Sequence, residues 1–340
     1  MQRADYIHSS AAIRVKEKGL LNQSYFLRLT DLESAGDVSK ALSDSIYAER
    51  VLAMESINKY WDVFSPELVN AYNFVREQKG GEAVYSFVAL KYDMHNIKVL
   101  LKSMILDEDL SELYSSIGRI SVPAIKRLLE SGKNESKDVL YSNIAIQAYD
   151  LYKQNKDAQQ AEMIIDKFFL NELLRIGKEI DASLGSESKN FFTEYAKLFI
   201  DTSNIQMVIR AKDHGRQWIN IKDFLSESGN IDIRHLGKSY LETPKVVIER
   251  LVSSDMHKGL LEAISKDEKN GNLLEFERVL EDYLMKKTKE AKMISAGPEA
   301  MFAYVHAKDI ELLNMRLIYI SKMNGKSPDS IKERLRETYA

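Results

Sequence analysis

The chain has 340 residues with 48 Lys+Arg against 51 Asp+Glu, a formal charge of −3 that argues against a nucleic-acid protein, which needs a basic surface to displace counterions from phosphates. With 44% hydrophobic residues it can bury a substantial core, yet no apolar run approaches the ~18 residues of a membrane span. Cysteine is absent, which removes disulfides, thiolate nucleophiles and Cys-ligated zinc and fits a reducing cytoplasm. The start, MQRADYIHSSAAIRVKEKG, lacks the apolar centre of a signal peptide, so the mature chain is expected to begin near Met1. Five prolines and 15 glycines are too few for the turns of a sandwich or barrel, so the chain is expected to be all-α.

In chain order, the first unit opens with Leu32-Glu33-Ser34 and continues with Ile57-Asn58-Lys59-Tyr60-Trp61. Ser65-Pro66 then reads as an N-cap followed by Pro at the first helical position. The helix predicted over 87–105 carries Ile97, Leu100, Leu101 and Met104 at i, i+3, i+4 and i+7, one apolar face bordered by Asp93 and Asn96. The second unit brings Gly118-Arg119-Ile120-Ser121-Val122, the pair Ser121 and Pro123, and Leu129-Glu130-Ser131. Ile165-Asp166-Lys167-Phe168-Phe169 lies 108 positions after the Ile57 segment. At the same offset the helix 195–213 repeats Asp93 and Asn96 as Asp201 and Asn204, and the apolar face as Ile205, Val208 and Ile209. Lys98, Gln206 and, in the third copy, Arg316 are expected to point away from that face, toward solvent or a neighbouring surface.

The third unit begins with Gly229-Asn230-Ile231-Asp232-Ile233, 111 positions after its counterpart, and Leu241-Glu242-Thr243 leads into Pro244. A looser Leu280-Glu281-Asp282-Tyr283-Leu284 follows, then Gly297-Pro298 as a helix start. Glu311 and Asn314 stand 110 positions after Asp201 and Asn204, with Met315, Ile318 and Tyr319 behind them. Ser327-Pro328 starts a last helix, whose Pro328–Leu335 stretch echoes Pro123 onward and is expected to supply part of a fourth unit that closes against the first. Several independent segments on one offset predict three tandem helical units, 1–108, 109–216 and 217–340, related by approximate threefold symmetry.

Candidate chemistry is thin. The Asp/Glu-x-x-Asn triplet reads either as three equivalent binding sites or as three equivalent helix contacts. The second is preferred, because buried polar groups in repeats fix register and no His or Lys completes an acid–base pair at each copy. Gly-Lys pairs at Gly132, Gly237 and Gly325 lack the Gly five residues upstream that a phosphate loop needs, and are expected to be helix C-terminal glycines. His8, His95, His214, His235, His257 and His306 have no metal-ligand spacing. The 17 tyrosines are expected to be core and interface material, and Lys286-Lys287-Thr288-Lys289-Glu290-Ala291-Lys292 a solvated helix face or a surface that meets an acidic partner. No catalytic, cofactor-binding or metal-binding residue is assigned, and neither a cofactor nor a small-molecule substrate is expected.

The segments YDMHNIKVLLKSMI, AKMISAGPEAMFAYVHAKDIELLNMRLIYISKMNG and SPDSIKERLRETY resemble the C-subunit family of V-type and archaeal-type ATP synthases, whose eukaryotic relatives are the d subunits of the vacuolar ATPase. The likeness covers nearly the whole chain, is strongest over 85–105 and 276–340, and rests most on the Asp-x-x-Asn-Ile-Lys helix and the Ala296–Glu299 helix start. Residues 106–190 depart most. The resemblance implies a funnel of three helical domains, peripheral on the cytoplasmic face of the membrane, that seats the central stalk on the proteolipid ring. It implies a non-catalytic part in rotary proton or sodium ion transport and ATP synthesis. The alternative is a free-standing helical-repeat scaffold for protein ligands.

Overall fold

The computed structural model describes residues 1–131, 139–251, 259–266 and 273–340. All regular structure among these residues is helical, as expected. By contact the chain groups into two compact units. One holds residues 1–85, 183–191 and 239–340; the other holds 86–182 and 192–238.

The first unit is built on the helix Pro298–Met323, whose buried residues fall on every side, from Ala300, Met301 and Phe302 to Ile318 and Tyr319. A helix buried all round needs a sheath. Tyr60–Arg76, Ile7–Glu17, Ala35–Leu42, Gln23–Asp31 and Leu274–Lys289 supply it. Tyr60 stacks on Tyr319 at 4.9 Å between ring centroids, Phe64 meets the same ring at 5.7 Å, and the Arg316 guanidinium lies 5.0 Å over Trp61. Three of the expected proline starts hold. Pro298 and Pro328 occupy the first helical turn behind Gly297 and Ser327, and Pro244 opens Pro244–Leu251 behind Thr243.

Pro66 corrects the expectation: it lies inside Tyr60–Arg76, not at a helix start. Proline there removes one backbone hydrogen bond and costs about 3 kcal/mol. The buried stripe Tyr60, Phe64, Leu68, Ala71, Tyr72 and Val75 runs on both sides of it, and the burial of that stripe outweighs the local penalty.

The second unit takes most of Gly81–Leu106, together with Val122–Ser131, Val139–Asn155, Ala158–Ser183, Phe191–Asp213 and Ile233–Ser239. Its core is largely aliphatic, with Phe87 and Phe192 fully buried, and further aromatic pairs join its helices. Phe87 and Phe192 meet edge-on at 5.3 Å, Phe169 and Phe199 at 5.7 Å, and Tyr141 and Phe168 at 6.0 Å.

Three helices end in the same way. After Gly81–Leu106 the Glu108 N–H returns to the Ser103 carbonyl, after Phe191–Asp213 Arg216 returns to Ala211, and after Pro298–Met323 Lys326 returns to Ser321. Each is the closing bond of a Schellman cap, and the residue before the donor sits in the left-handed region: Asp107 at φ 54°, Gly215 at 66° and Gly325 at 63°. These caps fall 108 and then 110 residues apart, the spacing of the Asn residues. Gly325 is thus the expected C-terminal glycine. Gly237 is not. It stands inside Ile233–Ser239, where a Cβ would meet the Trp218 ring at 2.8 Å, so it is the ring's approach that requires Gly there. Gly132 lies outside the described residues.

Candidate functional site

The repeated acid and amide are buried in all three copies: Asp93, Asn96, Asp201, Asn204, Glu311 and Asn314 are between 0 and 5% exposed. Each apolar face behind them is buried as predicted through Ile97, Leu100 and Leu101, through Ile205, Val208 and Ile209, and through Met315, Ile318 and Tyr319, with Met104 half-buried. Burying amides and carboxylates is costly unless every donor and acceptor is used. Here they are used in the same way three times.

Asn96 donates to the Ser115 carbonyl at 3.0 Å and accepts the Ser115 N–H at 2.8 Å. Asn204 does the same with Ser226, at 2.8 and 3.1 Å, and Asn314 with Arg336, at 3.0 and 3.0 Å. Each amide thereby replaces a missing backbone partner and clamps a loop to the helix. The acid one turn earlier clamps the next stretch. Asp93 accepts the N–H groups of Arg119 and Ile120, and Asp201 those of Asn230 and Ile231, both at 2.9 Å. Gly118 and Gly229 precede these N–H groups because a Cβ would collide with Asn96 in the first loop and with Asp201 in the second.

Electrostatically the copies diverge. Asp93 is paired with the Arg119 guanidinium at 2.7 Å, and Arg119 also donates to the Tyr141 hydroxyl at 2.8 Å. Burial pushes the Asp93 carboxyl up from its ordinary value, and Arg119 opposes that push. Burial also raises Asp201, but Asn230 stands where the arginine would be; backbone N–H groups, the Asn230 amide at 3.1 Å and the more distant charge of Lys197 hold its carboxylate. Glu311 is paired with Lys308 at 2.6 Å, each 2% exposed, and accepts the Tyr47 hydroxyl proton. Lys308 also donates to Tyr47 at 2.8 Å, and burial followed by the Glu311 charge raises the Tyr47 phenol well above its ordinary value.

Every polar atom of the triplets is thus spent on the fold. Sequence reasoning does not single out their partners, except that Gly118-x-Ile and Gly229-x-Ile match as a pair. Lys98 points, as one of the expected alternatives had it, to a neighbouring surface: it pairs with Asp166 at 2.5 Å, beside a groove of about 600 Å³ also lined by Met163, Leu170 and Phe199 in the second unit. The histidines are scattered. His95 contacts the Leu113 carbonyl at 2.9 Å, His306 the Thr288 hydroxyl at 2.7 Å, and His257 lies outside the described residues. Among the described residues no three His, Asp or Glu side chains are grouped so as to hold a metal, and no helix is long and apolar enough to cross a membrane. The lysine run is paired rather than simply solvated, with Lys287 on Glu290 at 2.7 Å and Lys289 on Glu337 at 2.5 Å.

A sequence model of the family described as ATP synthase (C/AC39) subunit matches residues 9–334. The C subunit of the V-type sodium ATPase of Enterococcus hirae is 25% identical over 337 residues, covering 98% of this chain and 99% of the relative. The C subunit of the A-type ATP synthase of Methanobrevibacter smithii is 24% identical, over 96% of this chain and 86% of the relative. That of Methanocaldococcus jannaschii is 23% identical, over 98% and 86%.

Proposed function

Because the chain belongs to the ATP synthase (C/AC39) subunit family, we propose that it is the non-catalytic adaptor of a rotary V- or A-type ATPase, joining the central stalk to the membrane proteolipid ring. It would lie peripherally on the cytoplasmic face and turn with both partners during proton or sodium ion transport. The observation that carries this reading is the end-to-end match to named C subunits of such machines, one of them covered over 99% of its length.

The geometry supports a mechanical part. A coupling must carry torque without yielding, so it needs loops fastened to helices rather than a mobile cleft. Two side chains one turn apart, each gripping a different backbone stretch, do that at Asp93 and Asn96 and again at Asp201 and Asn204. The same reading divides the chain into three look-alike units, near 1–108, 109–216 and 217–340, each with one acid–amide clamp. A complex purified without this chain is expected to keep ATP hydrolysis in its catalytic sector and to lose ATP-driven ion uptake into vesicles. Normal ion uptake without the chain would refute the adaptor role. Co-purification with neither stalk nor proteolipid subunits would favour the free-standing scaffold.

A further inference from the structure

The acid of the third clamp grips a stretch far upstream rather than one downstream. In the first two copies the carboxylate takes an N–H group five residues beyond the amide-clamped one: Ile120 follows Ser115, and Ile231 follows Ser226. Glu311 instead accepts the N–H of Leu21, at 2.5 Å, from the opposite end of the chain.

The surroundings of Leu21 match those of Ile120 and Ile231 at the glycine before and the cap after, although the Leu20 N–H bonds the Glu17 carbonyl rather than the acid. Gly19 stands two positions before it, as Gly118 and Gly229 do before theirs. Asn22 follows and caps Gln23–Asp31 by accepting the Tyr25 N–H at 2.9 Å, as Ser121 precedes Val122–Ser131 and Asp232 precedes Ile233–Ser239. The C-terminal elements hold this segment along its length. The Gln23 amide accepts the Thr338 N–H at 3.1 Å, Lys322 donates to the Thr30 carbonyl at 2.7 Å, and Lys332 pairs with Asp31 at 2.6 Å.

We propose that residues Gly19–Asp31 are the missing half of the third clamp: an N-terminal strap that completes the C-terminal repeat and opens it when released. The repeats then form a permuted series, in which the third acid takes its gripped stretch from the N-terminal residues. Pro328–Lys332 comes before its clamp residue Arg336, whereas Pro123 comes after Ser115, so the echo between those two prolines is not an equivalence of position. This inference does not rest on the rotor reading.

The full chain has no cysteine, which makes the test clean. Gln23→Cys with Thr338→Cys, joined by a short bismaleimide, should give an intramolecularly cross-linked monomer with a raised melting temperature. A covalent dimer, or no cross-link under conditions that modify both thiols, would overturn the proposal. Hydrogen exchange on Glu311→Gln provides a second reading. Amides of 19–31 should exchange about tenfold faster while those of 118–131 and 229–239 stay unchanged. Unchanged protection over 19–31, or loss spread over all three segments, would equally overturn it.

Discussion

The Asp93 and Asp201 clamps are two solutions to one burial problem. Both carboxylates sit on the buried side of a long helix, both accept two consecutive backbone N–H groups, and both are followed by an Asn that grips a loop reciprocally. They differ in one partner. Arg119 neutralises the first charge, while Asn230 only solvates the second. The backbone geometry is therefore what the repeat requires, and the counter-charge is optional. Removing a charged partner leaves the other group buried and unpaired, so the copy with the salt bridge is the more vulnerable to substitution.

The largest expected effect follows directly. Asp93→Asn should lower unfolding free energy by about 3 kcal/mol, since it removes the charged partner of the Arg119 guanidinium and leaves it the Tyr141 hydroxyl, whereas Asp201→Asn should cost only about 1 kcal/mol. Equal losses in denaturant melts would break the comparison. The amides should behave alike: Asn96→Ala, Asn204→Ala and Asn314→Ala each delete two hydrogen bonds inside a buried site, for about 2 kcal/mol apiece. A spread wider than about twofold among them would mean that the clamps are not equivalent.

The pH dependence sharpens the contrast further. Asp201 has a folded value above the ordinary 3.8 because burial penalises its charge. The folded chain therefore binds this proton more tightly than the unfolded one, and stability falls as pH rises from 3.8 through the raised value, then levels off. Asp201→Asn should remove that slope, as a comparison of melting temperatures across acidic buffers would reveal. A slope unchanged in the variant would reject the assignment. The smallest effect belongs to Asp232, which caps the neighbouring helix from the surface and is pushed down to about 2 by its bond to Arg234. Its contribution is present above 3.8 and disappears as pH falls towards 2, readable as lower amide protection factors over Ile233–Ser239 in acid and in Asp232→Ala.

How much of this was legible in the sequence depends on the range of the interaction. Helix content, the buried faces at Ile97, Ile205 and Met315, and the caps at Thr243 and Ser327 are set within a few residues, and periodicity and proline placement reveal them. Pro66 misled because the stripe that holds its helix together is indifferent to local propensity. The acid–amide spacing marked the clamps but not what they grip, since Ser115, Ser226 and Arg336 lie 19, 22 and 22 residues downstream. The third grip was hidden more deeply: Leu21 and Glu311 are 290 residues apart, and no offset along the chain links them. The groove beside Lys98 had no sequence signature, because its lining comes from three helices far apart in the chain.

The most direct test of the claim that these polar repeats hold the fold, and carry no chemistry, is the double variant Asp201→Asn with Asn204→Ala, followed both as an isolated chain and in its complex. A melting temperature lowered by about 5 °C or more, with ATP hydrolysis by the complex retained, is the predicted result. An unchanged melting temperature with hydrolysis abolished would contradict it.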